Sequence, residues 1–171
     1  TTITDKSGNA NTSSAFTGNT AFTTGKYGKG LTFDGVDDVV RIVESTSTDV
    51  GATTDSYTVA AWVKMASTAN CNTNDCSIVS KWDGTDSYPF IIWIDVAEKP
   101  YLEMNDGTFG PFTDTTNVPA INDDKWHYIV VARNVAADRL ELYIDGILQS
   151  TATDTTTATM VNNDEISIGN G

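Results

Sequence analysis

Oxygen-bearing residues at alternate positions, Asp5, Ser7, Asn9 and Asn11, form the first candidate site. Ca2+ takes roughly 6–8 oxygen ligands, often from such a loop with backbone carbonyls and a remote carboxylate. The run imitates the start of an EF-hand, but Ala10 stands where that loop needs glycine and Phe16 where it needs glutamate. The competing reading is an Asx-turn loop whose side chains satisfy their own backbone. A second acidic run, Asp34-Gly35-Val36-Asp37-Asp38, reads as a tight hairpin in preference to a metal or ligand contact. Gly35 would supply the positive φ, and the carboxylates would accept turn N–H groups.

Catalytic chemistry finds less support. His127 is the sole histidine, beside Trp126, and no serine or cysteine near it in sequence suggests a triad. A packing or turn-bonding role fits it better. Glycoside hydrolysis needs two acids about 5–5.5 Å or about 6.5–9.5 Å apart. Glu141 and Asp145 share a strand face, but four residues at about 3.3 Å each put them about 13 Å apart. The close Glu-x-Asp-x-x-Glu spacing is absent.

Aromatic side chains offer a binding platform instead. Apolar sugar faces stack on exposed rings while polar loop groups fix orientation. Trp62, Trp82, Trp93 and Trp126, with Tyr88, Tyr101 and Phe112, could build one, although a hydrophobic core claims most such rings. Trp82, Tyr88, Phe109 and Phe112 are the ligand-contact candidates; Trp82, Phe109 and Phe112 lie beside loops. Cys71 and Cys76 bracket a polar loop. Zinc would want two more soft ligands, so the spacing points to a small disulfide staple and an oxidising compartment.

The elements that must position these groups are strands. Tyr57-Thr58-Val59-Ala60-Ala61-Trp62-Val63-Lys64 alternates, with Tyr57, Val59, Ala61 and Val63 on one face. Tyr88 to Asp95 is apolar on both faces, as a covered central strand would be, with Pro89 at its start. Trp126 onward and Leu142 to Ile144 bracket a polar turn, Asn134 to Asp138, and Asp145-Gly146 is hairpin chemistry. Residues 1–30 read as loop with one short strand near Ala21–Thr23, and Thr151 to Thr159 as an edge strand or long loop. No long stretch carries an apolar stripe of helical period. About nine or ten short strands with turn signals roughly every 8–12 residues predict an all-β sandwich or jelly roll in a single domain over residues 1–171.

Composition narrows the partners. The 171 residues carry 23 Asp+Glu against 10 Lys+Arg, a formal net charge of −13. That gives no basic stripe for nucleic acid and no attraction to anionic membrane surfaces. No run approaches the roughly 20 apolar residues of a membrane span, and no stretch reads as a signal peptide. The chain therefore reads as a mature or excised piece of an exported protein. Asn11-Thr12-Ser13 is a weak N-glycosylation pattern.

Several ordered motifs carry a family resemblance. Gly25-Lys26-Tyr27-Gly28-Lys29-Gly30-Leu31-Thr32-Phe33-Asp34-Gly35-Val36-Asp37-Asp38-Val39-Val40 resembles the glycine-rich segment and FDG-x-DD-x-V turn of laminin-G-like domains of the concanavalin A-like superfamily. Ser56 to Lys64, Ile78 to Asp83, Trp126-His127 and Leu142 to Gly146 follow in family order, so the likeness spans Asp5 to Gly169. The resemblance implies a jelly-roll sandwich of two antiparallel sheets and calcium near the Asp5 loop. Members usually have a strand before the Asp-x-Ser-Gly-Asn loop and another after the Ile-Gly-x segment. Against that pattern the chain reads as lacking one or both terminal strands, leaving an edge that invites a partner strand.

The expected function is non-catalytic: an extracellular or cell-surface recognition or adhesion module for a glycan or a surface protein, with Ca2+ as a candidate cofactor. The alternative is a structural subunit of a surface filament or pilus, completed by a neighbour's strand. A glycoside hydrolase is the least favoured reading.

Overall fold

The computed structural model describes residues 2–69, 71, 75–82, 84, 87–108 and 110–169. It is an all-β sandwich. Its strands are β1 (Ser13–Thr17), β2 (Ala21–Thr24), β3 (Lys29–Thr32), β4 (Val39–Ile42), β5 (Tyr57–Lys64), β6 (Cys76–Lys81), β7 (Ser87–Ile94), β8 (Pro100–Asp106), β9 (Trp126–Asn134), β10 (Arg139–Ile144), β11 (Ile147–Thr153) and β12 (Ile166–Gly169). Six strands form one antiparallel sheet in the order β1-β4-β12-β6-β7-β8, four form a second in the order β11-β10-β9-β5, and β2 pairs with β3 alone. Among the described residues the only helix is the 3-10 turn Val135–Ala137.

Alternation explains how the two sheets meet. Leu102 and Met104 of β8 point inward while Tyr101, Glu103 and Asn105 point out. Phe90, Ile92 and Ile94 of β7 join them. They meet Ile129 and Val131 of β9 and Leu140, Leu142 and Ile144 of β10, with Val118, Ile121 and Met160 from loops closing the core. Each fully buried side chain of this size contributes roughly 1.5–3 kcal/mol. Tyr57, Val59 and Val63 of β5 pack against the same cluster, as their alternation predicts.

The hairpins follow their turn residues. Between β9 and β10, the Asn134 side chain accepts the Ala137 N–H at 3.2 Å, and Asp138 takes the left-handed conformation at φ 51°. Asp145 and Gly146 both have positive φ, 52° and 83°, the geometry of a two-residue turn that lets Ile144 pair with Ile147. The threonine tract divides between β11 and the loop after it.

Three expectations change. The Asp34–Asp38 run is not a hairpin: β3 pairs with β2, while β4 pairs with β1 and β12. The run is a corner between sheets, although Gly35 does have φ 76° and Asp34 and Asp38 do accept backbone N–H groups. The polar start holds a strand, β1, that its composition hides; pairing along β4 forms it. The last strand, β12, is not at an edge but lies between β4 and β6, and β1 is the edge strand at that end of the sheet.

Candidate ligand-binding cleft

Outward-facing residues of β7 and β8 assemble the site. Register places Tyr88 opposite Asn105, Ile91 opposite Glu103 and Trp93 opposite Tyr101. Glu103 thus stands between two aromatic donors. Its carboxylate accepts the Tyr88 hydroxyl at 2.9 Å and the Trp93 indole N–H at 2.8 Å. Trp82, just after β6, packs against Tyr88 with ring centroids 5.3 Å apart and against Trp93 at 6.5 Å.

The free edge of β8 is covered by its own chain. The Met104 N–H donates to the Pro111 carbonyl at 3.2 Å, and the Thr113 N–H to that of Leu102 at 3.0 Å. Thr113 also accepts the Leu102 N–H through its hydroxyl at 3.0 Å. Glu103 and Phe112 form a bridge within this short pairing. Thr113 is fully buried, and Phe112, one residue away, is 58% exposed. The Phe112 ring stands edge-on to Tyr101, with centroids 6.4 Å apart.

Two loops complete the walls. The Cys71–Cys76 disulfide expected from the sequence is present, with a Cα separation of 5.6 Å. It anchors Asp75, whose carboxylate accepts the Tyr101 hydroxyl. Buried Glu98 braces the same loop by accepting the Cys71 N–H at 3.2 Å. Asp95 closes the turn after β7, accepting the N–H groups of Ala97 at 2.8 Å and Lys99 at 3.0 Å. Asp75, Asp95, Tyr101, Glu103, Phe112 and Thr115 then line a cleft of about 280 Å³.

Burial, reinforced by the Glu103 charge and hydrogen bond, pushes the Tyr88 phenol well above its ordinary pKa. Burial, the Asp75 hydrogen bond and charge, and the Glu103 and Asp95 charges do the same to Tyr101. Both phenols stay protonated and act as fixed donors.

Of the expected ligand contacts, Phe112 lines the cleft. Trp82 and Tyr88 stand on the same sheet face but support Glu103 and Trp93 from the side. Phe109 lies outside the described residues. Sequence reading missed Glu103, Asp75, Asp95 and Thr115 as site residues. The alternation of β8 could have placed Glu103 on the outer face; its aromatic partners come only from the register with β7.

The other candidates stand apart. Asp5 accepts the N–H and hydroxyl of Ser7, each at 2.7 Å, and the N–H of Asn11 at 2.9 Å; these bonds hold its carboxyl below the usual range. Ser7 accepts the Asn9 N–H at 3.2 Å, and Asn11 accepts the hydroxyls of Ser45 at 2.6 Å and Ser47 at 3.0 Å. These are the bonds of an Asx-turn loop whose side chains satisfy their own backbone. His127 is a turn-bonding residue: Nδ1 lies 2.8 Å from Asp145 and Nε2 3.0 Å from Asp123. Glu141 and Asp145 have separate partners, Arg139 and Tyr143 for one, His127 and the Tyr128 N–H for the other.

A family model described as the concanavalin A-like lectin/glucanases superfamily matches residues 34–171. The chain belongs to this superfamily. Solved structures show the same concanavalin A-like sandwich. The binding domain of Paraclostridial mosquitocidal protein 1 superposes with a TM-score of 0.79 at 18% identity, over 99% of this chain and 42% of that one. Domain 4 of AbnA, an extracellular arabinanase of Geobacillus stearothermophilus, in complex with arabinotriose, gives 0.63 at 17% identity, over 89% and 66%. Mouse laminin α1 domains LG4-5 give 0.53 at 16%, over 70% and 28%. This chain therefore spans about two-fifths of the toxin binding domain. No curated protein matches the sequence. Among the described residues no helix is long and apolar enough to cross a membrane.

Proposed function

We propose that this superfamily member is a non-catalytic recognition module of an extracellular or cell-surface protein, and that it binds glycans at the β7–β8 cleft. One observation carries the reading: an exposed ring, Phe112, stands beside Tyr101 in a cleft also lined by Glu103, a carboxylate held by two aromatic donors. Rings of this kind stack on apolar sugar faces, and fixed acceptors orient hydroxyls. The arabinanase domain solved with arabinotriose and the toxin binding domain support it by using the same fold for recognition. The disulfide supports an exported setting. Hydrolysis is disfavoured because the chain lacks the close Glu-x-Asp-x-x-Glu spacing of jelly-roll glycosidases.

A glycan array probed with and without EDTA tests this reading, and the EDTA arm tests Ca2+ as a cofactor. Wild-type protein should bind, and Phe112→Ala should lose affinity by about 10-fold or more with unchanged far-UV circular dichroism. Absence of binding in both arms would remove the basis of the proposal. In the alternative, strand addition by a neighbour, the edge strands β1, β5 and β11 are candidate receivers, and β11 exposes Ile147 and Leu148. The break in register between Leu142 and Tyr143 bends the β11 edge and argues against addition there.

A further inference from the structure

We infer that the cleft chooses its ligand by charge, taking amine-bearing sugars and turning away anionic ones; this rests on the glycan reading above. The lining consists of three carboxylates, two aromatic rings and one hydroxyl, with no lysine or arginine among these described residues. The neighbouring base, Lys99, donates instead to the carbonyls of Thr115 at 3.0 Å and Thr116 at 3.4 Å. The groups that hold Glu103 and Asp75 are phenols and an indole, which orient a carboxylate without neutralising it.

The spacing of the acids says what kind of cation fits. Among the described residues, the one trio of acids whose oxygens all approach within 4.8 Å of one another is Asp34, Asp37 and Asp38, at the far corner between the sheets. Asp75, Asp95 and Glu103 are not such a trio, so they do not converge on a single bare ion. Carboxylates spread around a cleft suit an organic ligand that carries its charge beside other polar groups. A glucosamine-type ring matches: its ammonium meets the acids, its hydroxyls meet the remaining lone pairs, and its apolar face lies on Phe112. The rings of Phe112 and Tyr101 add attraction for the ammonium. A uronate or sulfate would face three like charges, and the net charge of −13 extends that repulsion into solution.

Calorimetric titration of the intact domain separates these outcomes. The probes are glucosamine oligomers, neutral gluco- and arabino-oligosaccharides, and oligogalacturonate with heparin fragments. The amine set should bind about 10-fold or more tighter than the neutral set, and the anionic set should not bind. Raising salt from about 50 mM to about 500 mM should narrow the gap between amine and neutral sets. Asp95→Asn should narrow it too, since the amide oxygen still accepts the turn N–H groups. Anionic sugars binding as tightly as neutral ones would overturn the inference and leave the glycan reading standing; so would a gap unmoved by salt and by Asp95→Asn. Failure of all three sets would overturn both.

Discussion

The two sheets answer the same problem, a carboxylate on or beside a strand, in opposite ways. At the β7–β8 end of the six-stranded sheet, Glu103 and Asp75 are held by neutral phenol and indole donors. In the four-stranded sheet and its flanking loops, acids meet cations. Arg133 donates to Asp154 at 2.7 Å, Arg139 to Glu141 at 2.8 Å, and His127 lies against both Asp123 and Asp145. Even the aromatic pair on that sheet's outer face, Trp62 and Tyr128, has Lys26 over the Trp62 ring at 4.8 Å. Matched charges hold a structure together. Charges left net negative beside an open cleft remain available to a ligand. The contrast is the physical ground for the proposed binding at the β7–β8 cleft.

The sharpest way to break the contrast is at Arg133. Its side chain and that of Asp154 are 2% and 5% exposed. Arg133 also donates to the Ala52 carbonyl at 2.7 Å and the Thr156 hydroxyl at 2.9 Å, tying β9 to two loops. Replacing it with leucine strands a buried carboxylate, at a cost of about 3–5 kcal/mol. Urea unfolding should show that loss, and Arg133→Leu combined with Asp154→Leu should recover part of it. If Arg133→Leu unfolds at the wild-type urea concentration, the pair is not a structural tie and the contrast fails on its stronger side.

The cleft side predicts a smaller loss. Glu103→Ala leaves the Tyr88 hydroxyl and the Trp93 N–H without their acceptor, and Tyr88 is buried. Unpartnered buried donors cost about 1–3 kcal/mol. Glu103→Gln keeps an acceptor and should lose less than the alanine variant while still weakening an amine-bearing ligand. Equal stability of the alanine variant and wild type would show that the three groups are not a preorganised unit.

Much of this framework was legible in the chain, for a physical reason. Strands β5, β9 and β10 announce themselves by local alternation, β7 by a run apolar on both faces, and Asp145-Gly146 by the positive φ its turn demands. The Cys71–Cys76 staple needs only short spacing. What local pattern cannot carry is partnership. Glu103 meets Tyr88 across 15 residues and Arg133 meets Asp154 across 21, and both meetings depend on which strands lie side by side. The Asp34–Asp38 run shows the same limit. Its turn chemistry was readable, but the separate pairing of the strands on either side was not. Strand β1 fails the local test altogether, because its polar residues become a strand only along β4.

The smallest expected effect is also the most specific, because it titrates. Burial alone would lower the pKa of His127, but its hydrogen bonds to Asp123 and Asp145 outweigh that and raise it. The hydrogen bonds to Lys125 and His127 hold Asp123 low, and those to Tyr128 and His127 hold Asp145 low. A histidine whose folded pKa is raised binds its proton more tightly in the native state. Its contribution is complete below the unfolded value near 6.5 and is lost as pH climbs through the folded value. The two aspartates act in the opposite direction, and their share disappears only as pH falls below about 4. The clasp is therefore strongest between about pH 5 and pH 6. Thermal melts of wild type and His127→Gln should differ there by about 2 °C and converge as pH climbs through the raised folded value, a size fitting partly exposed pairs. If the two melts stay parallel from pH 5 to 9, His127 is a neutral turn residue, and the rule that this sheet matches acids with cations loses its loop member while keeping Arg133.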